Sequence, residues 1–178
     1  MTRLTLALLF VAGCGNGSST NALHIAIADN AGASVAVAPV DFTATAGKDS
    51  SRGIFQFDAQ RAPAAGGNRI VIVNLQESAG TPLAVGRSFA VGIPPLEGDW
   101  PPGNAAVTLT DSSSDLEFAS WSGDGGSVTV TRVAGDAVSL RFDATMKPAH
   151  DTDAVGSFHL AGDCSVDDVP ETSFLSAR

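Results

Sequence analysis

Three histidines, two cysteines and 19 acidic residues are the groups in this 178-residue chain with which acid–base, nucleophilic or metal chemistry would be done. The histidines, His24, His150 and His159, are not spaced as metal ligands, and neither HExxH nor CxxC occurs. His24 and His159 fall on the polar phase of expected strands, and His150 sits in the polar turn Lys147-Pro-Ala-His150-Asp-Thr-Asp153. A hydrolase would need a serine activated by a base. The nearest approach is Gly86-Arg-Ser88-Phe-Ala90, which has alanine where a nucleophile elbow has its second glycine and no helix pattern behind it. A polar strand residue is the expected role of Ser88. The hydrolase alternative requires a histidine to meet a serine or carboxylate within ~3.2 Å in a cleft.

Carboxylates offer a different chemistry, because hard cations take oxygen ligands. Asp151 with Asp153, Asp163 with Asp167 and Asp168, and Asp124 in its Gly-rich segment are the candidates for a calcium site. None lies in an EF-hand loop or a calcium-binding repeat, and Asp and Gly are also what ordinary turns select. A calcium-stabilised adhesion or carbohydrate-binding module is therefore an alternative reading. Sugar recognition calls for aromatic platforms, and the chain has no tyrosine and two tryptophans. Trp100, in Gly98-Asp99-Trp100-Pro101-Pro102, is flanked by loop formers, so Asp99 and Trp100 are the candidate ligand-binding pair; Trp121 ends an expected strand at the core or rim. No Gly-rich phosphate loop or dinucleotide fingerprint is present, and no cofactor is expected.

Cys14 has the most specific surroundings. Met1-Thr2-Arg3 is followed by the apolar run Leu4–Ala12 and then by small residues, the pattern of an export signal. The run falls short of the ~20 residues that span a bilayer as a helix. Val11-Ala12-Gly13-Cys14 resembles the lipobox of bacterial lipoproteins: a branched residue, two small ones and a cysteine. The resemblance covers the first fourteen residues. It implies cleavage before Cys14, a thioether-linked lipid on that thiol and acylation of the new N-terminus. Each buried methylene contributes ~0.8 kcal/mol, so two or three acyl chains on one residue would make release slow. Gly15 stands where the enterobacterial inner-membrane retention signal has Asp, which by the same resemblance favours the outer membrane.

Composition sets further bounds. The net charge of −9 becomes one unit more negative when Arg3 leaves with the signal, and ten Lys plus Arg give no electrostatic footprint for nucleic acid. Such a surface repels anionic lipid head groups, so the membrane is a partner through the lipid on Cys14 alone. With Cys14 lipidated, Cys164 is expected to be an unpaired thiol. Other partners are expected to be an envelope protein or glycan.

The elements that must position these residues follow a period of two. Val138-Ser-Leu-Arg-Phe-Asp-Ala-Thr-Met146 alternates apolar and polar residues, as does Ser127-Val-Thr-Val-Thr131; Ala134-Gly135-Asp136 is a suitable turn between them. Further strands are expected at 24–28, 34–45, 53–58, 69–76, 84–91, 106–110, 116–121 and 155–160, with Gly123-Asp124-Gly125-Gly126 and three other Gly- or Pro-rich segments as turns. Ile70-Val-Ile-Val73 is apolar on both phases, as for a strand covered on both sides. The segment 126–160 also resembles small bacterial surface lipoproteins of unknown function, although Arg141 stands where they commonly have Gly. That resemblance implies a β-sandwich and no catalytic residue.

The expected layout is a helical signal peptide (1–13), a lipidated cysteine with a Gly/Ser/Asn tether (14–22), a β-domain (23–165) and a tail or edge strand (166–178). The fold class expected is all-β, an antiparallel sandwich or barrel of about eight to ten short strands. The function expected is that of a membrane-anchored envelope lipoprotein acting by binding or as part of the surface.

Overall fold

The computed structural model describes residues 22–28, 34–35, 42–60, 67–95, 100–113, 119–150, 152 and 154–172. Every regular element among them is a strand: β1 (Ala22–Ala28), β2 (Ser34–Val35), β3 (Phe42–Asp49), β4 (Ile54–Gln60), β5 (Gly67–Gln76), β6 (Ser88–Val91), β7 (Asn104–Ser113), β8 (Ala119–Ala134), β9 (Ala137–Pro148) and β10 (Phe158–Val166). The lipobox residues Val11, Ala12, Gly13 and Cys14, the expected signal helix and the tether up to residue 21 lie outside the described residues, while Ala22, expected in the tether, begins β1.

All ten strands belong to one curled sheet rather than to two clear layers. The pairing is antiparallel except between β6 and the start of β7, where Ala90 and Val91 run parallel to Asn104 and Ala105. β6 fills the space where β7 and β8 diverge: those two pair directly from Thr108 to Asp111, and β6 takes over as the partner of β8 at Ser88–Ala90. β1 lies along β10 over its whole length and also meets β3 at Ala22 and Leu23. The curl follows from which face is apolar. Alternate residues of successive strands converge on one interior, with Phe42, Phe57, Val73, Val107, Phe142 and Leu160 all buried. A strand that gives one face to a shared core and the other to water can satisfy both only if the sheet wraps around that core.

The hairpin is where the alternation places it. β8 and β9 pair Val128 with Phe142 and Val130 with Leu140, and the chain reverses between Ala134 and Ala137. Several expectations are corrected. The Gly123–Gly126 segment is no turn but part of a sixteen-residue strand. Gly123 pairs with Met146 and Gly126 with Ala144, so one extra residue of β8 is accommodated as a bulge. Gly126 has φ +111°, and a Cβ there would meet the Asp143 carbonyl oxygen at 2.0 Å, so the bulge depends on glycine. With β9 at twelve residues, the strands are not uniformly short. The expected strand 84–91 is reduced to β6, and that at 155–160 is shifted to β10, ending at Val166.

Ile70-Val-Ile-Val73 is covered on one face only: Val71 and Val73 are buried, while Ile70 and Ile72 are half-exposed. The chain also stays in the core past 165. Val166 and Val169 are 2% and 3% exposed. Beyond them the backbone joins β3, the Lys48 N–H donating to the Pro170 carbonyl at 2.9 Å and the Thr172 N–H to the Lys48 carbonyl at 2.7 Å. Ser50 adds a hydroxyl and a backbone N–H to the Glu171 carboxylate. These bonds hold Glu171 below the ordinary carboxylate range, with Lys48 adding a smaller attraction.

Candidate functional site

The end of the sheet where β3 turns into β4 and β5 leaves toward β6 carries the most developed polar structure. Glu77 continues the inward phase of Val71, Val73 and Leu75, so the strand pattern drives a carboxylate into the mouth of the core, where it is 5% exposed. Burial of a charge needs a partner. Arg87 supplies it: Nε donates to Oε2 at 2.7 Å and Nη2 to Oε1 at 3.1 Å, a two-point arrangement suited to guanidinium and carboxylate. The Ser78 N–H donates to Oε1 at 2.9 Å. Burial pushes the Glu77 carboxyl up, but the Arg87 hydrogen bond, the Ser78 N–H and the Arg87 charge together outweigh it and leave the group below its ordinary value. Arg87 also lies over the Phe89 ring, 5.3 Å from its centroid, which places a cation on an aromatic face.

Around this pair three segments are tied together. The Glu77 N–H donates to the Gly53 carbonyl at 2.8 Å, and the Gly103 N–H donates to the Gln76 carbonyl at 2.7 Å. The Gln76 side-chain NH₂ donates to the carbonyls of Arg52 and Glu77 at 2.7 and 3.0 Å. Gly53 has φ +70°, and a Cβ there would stand 2.1 Å from the Glu77 carbonyl oxygen, so this close approach of two backbones requires glycine. The result is an open groove of about 330 Å³ lined by Arg52, Ile54, Gln76, Glu77, Trp100 and Pro102 among others. A smaller hollow of about 160 Å³ draws on the same turns through Ser50 and Gly80 and is bounded by Lys48, Leu83, Asp136 and Val169.

Of the residues singled out from the sequence, Trp100 is placed in this groove and is half-exposed; Asp99 lies outside the described residues. Trp121 packs against the core and meets Phe158 edge to face, with centroids 5.6 Å apart. The acidic candidates do not converge. Asp124 pairs with Lys147, and Asp163 pairs with Arg141 at 3.0 Å. Asp167 and Asp168 are exposed, and Asp151 and Asp153 lie outside the described residues. Among the described residues no three His, Cys, Asp or Glu side chains form a group able to hold a metal ion. Ser88 is an exposed strand residue whose hydroxyl accepts a hydrogen bond from Thr129 at 3.3 Å. His150 and His159 are exposed, on a turn and a strand respectively. Cys164 is a free thiol, 2% exposed, and burial pushes it up to about 12.

The Glu77–Arg87 pair is the feature that sequence reasoning missed. The signal was present: Glu77 occupies the next inward position after three consecutive apolar ones, where a charge needs a partner. Comparison with family models, with curated proteins and with solved structures finds no match for this chain.

Proposed function

We propose that this protein is a bacterial envelope lipoprotein, held on the membrane by lipid on Cys14, and that its β-domain acts by binding through the groove beside Trp100. The scaffold is read as barrel-like, since β1 pairs with both β10 and β3 and so brings the two ends of the sheet together. The observation that carries the binding reading is how the groove is built. A half-exposed indole and several polar side chains stand on segments cross-tied by backbone hydrogen bonds and backed by a part-buried ion pair. Such a wall loses little freedom when it takes a ligand, so more of the contact energy appears as affinity. The anchor rests on the lipobox resemblance of Val11-Ala12-Gly13-Cys14, and the acidic surface leaves the lipid as its means of attachment.

Two measurements test this reading. Cells fed a labelled fatty acid should mark the wild-type protein and not Cys14→Ala; equal labelling would end the lipoprotein assignment. The unlipidated Cys14→Ala chain should still co-sediment with purified envelope fragments, and adding Trp100→Ala should abolish that. Co-sedimentation unaffected by Trp100→Ala would remove the groove from the function.

A further inference from the structure

We infer that the groove beside Trp100 is a saccharide-binding site, taking one sugar ring of a glycan against Trp100. This rests on the binding reading above and goes further by naming the chemical class of the ligand. Its size is the first argument. A hollow of about 330 Å³ is at the small end of ligand sites. It admits a sugar ring or two, whereas a folded protein partner needs ~800 Å² of its surface covered.

The chemistry of the wall is the second argument. A pyranose has an apolar C–H face and a rim of hydroxyls, each of which both donates and accepts. It is best met by an aromatic residue combined with planar polar side chains. Trp100 is the aromatic residue, and Ile54 and Pro102 extend the apolar part of the wall. Arg52 brings a planar guanidinium to the wall. Gln76 has its NH₂ engaged on the Arg52 and Glu77 carbonyls, which orients its amide oxygen as an acceptor. Ser51 and Ser78 add hydroxyls. Donors, acceptors and an aromatic residue thus line one groove.

The same wall is poorly matched to other classes. Among the described residues Glu77 is the one carboxylate that lines the groove, and both of its oxygens are already bonded to Arg87, which leaves them poorly placed to hold a metal ion. A phosphate held by the main chain would need a nest of free backbone N–H groups. Here the Glu77 and Gly103 N–H groups are already bonded to the Gly53 and Gln76 carbonyls. An apolar ligand would strand the polar half of the lining without hydrogen bonds.

The test uses the full chain in detergent, titrated calorimetrically with neutral trisaccharides of glucose, galactose and N-acetylglucosamine. Saturable binding of at least one of them is expected. Trp100→Ala should weaken it more than about tenfold, as truncating a central aromatic contact does. Arg52→Gln should weaken it by a smaller factor. Trp121→Phe, which alters the tryptophan packed on the core, should leave the affinity unchanged. Unfolding midpoints within error of wild type show that the groove variants are folded. No saturable binding of any of the three sugars at millimolar concentration would overturn the inference, as would equal affinity in Trp100→Ala. Either failure leaves the fatty-acid labelling of Cys14 and the co-sedimentation result standing, so the loss would fall on the ligand class alone.

Discussion

Removing the Arg87 side chain should expose how much the mouth of the sheet depends on one ion pair. Arg87→Met keeps a long apolar stem over Phe89 and deletes the guanidinium, leaving the Glu77 carboxylate, 5% exposed, to rely on the Ser78 N–H. Stranding a deeply buried charge costs 3–5 kcal/mol, but the Arg87 side chain is 42% exposed, so water can enter where the guanidinium was. The expected loss is therefore ~2 kcal/mol, close to that for hydrogen bonds to a charged group. In a domain of this size that lowers the unfolding temperature by about 4–8 °C. Urea unfolding of the Cys14→Ala chain, with and without Arg87→Met, measures it.

The pH dependence provides an independent check. The folded Glu77 carboxyl lies below its ordinary value of 4.5, so the folded state binds fewer protons than the unfolded state and stability rises with pH across that interval. The contribution is fully present above the ordinary value and is lost as pH falls through the folded one. Glu77→Gln should flatten this part of the profile, and Glu77→Gln with Arg87→Met should cost less than the two single changes added together. A loss below about 0.5 kcal/mol in Arg87→Met, the size of an ordinary surface change, would refute the reasoning, as would an unaltered acid limb in Glu77→Gln.

Three further outcomes are expected. Gly53→Ala should destabilise the fold by at least about 2 kcal/mol, since it combines a left-handed backbone with a Cβ 2.1 Å from the Glu77 carbonyl oxygen; an unchanged urea midpoint would contradict this. Cys164 should resist a thiol reagent at pH 8 in the native protein and react on unfolding in urea, because it is 2% exposed and its thiol is pushed up to about 12; equal native and unfolded rates would refute its burial. Val169→Ala should cost ~2 kcal/mol by leaving a cavity under the C-terminal segment, and no loss of stability would place that segment outside the core.

The clearest legible element was the β8–β9 hairpin, because half-buried strands of an antiparallel pair must alternate and the Gly135-Asp136 turn is chemically marked. The same rule failed at Gly123–Gly126. Four residues that read locally as a turn instead form a bulge, since the strands on either side have the same partner, β9, on which to continue. It failed again at Ile70 and Ile72, where an apolar type on the outer phase says nothing about whether a second layer exists to cover it. The C-terminal segment was illegible for a similar reason: Val166-Asp-Asp-Val-Pro-Glu171 has no periodicity, and Val169 is core only because β3 offers Lys48 to the backbone around it. At the candidate site, Trp100 was visible as a tryptophan among loop formers. What it stands beside was not, because Arg52, Gln76 and Ser78 come from segments unrelated in sequence to it.

The sequence by itself carried the alternation that makes the described residues all-β with the apolar phase of each strand turned inward, and it holds the four-residue motif Val11-Ala12-Gly13-Cys14 on which the proposal of export and lipidation rests. These are properties of local order: a period of two and a four-residue motif need no distant partner to be read. Only the tertiary structure decided that the strands form one curled sheet, that Glu77 is neutralised by Arg87, and that Trp100 shares a groove with Arg52 and Gln76. Each of these depends on residues from separate segments being brought together, from ten positions apart for Glu77 and Arg87 to 48 for Arg52 and Trp100. What selects them is the burial of a common core face together with the need to satisfy the polar groups at its rim.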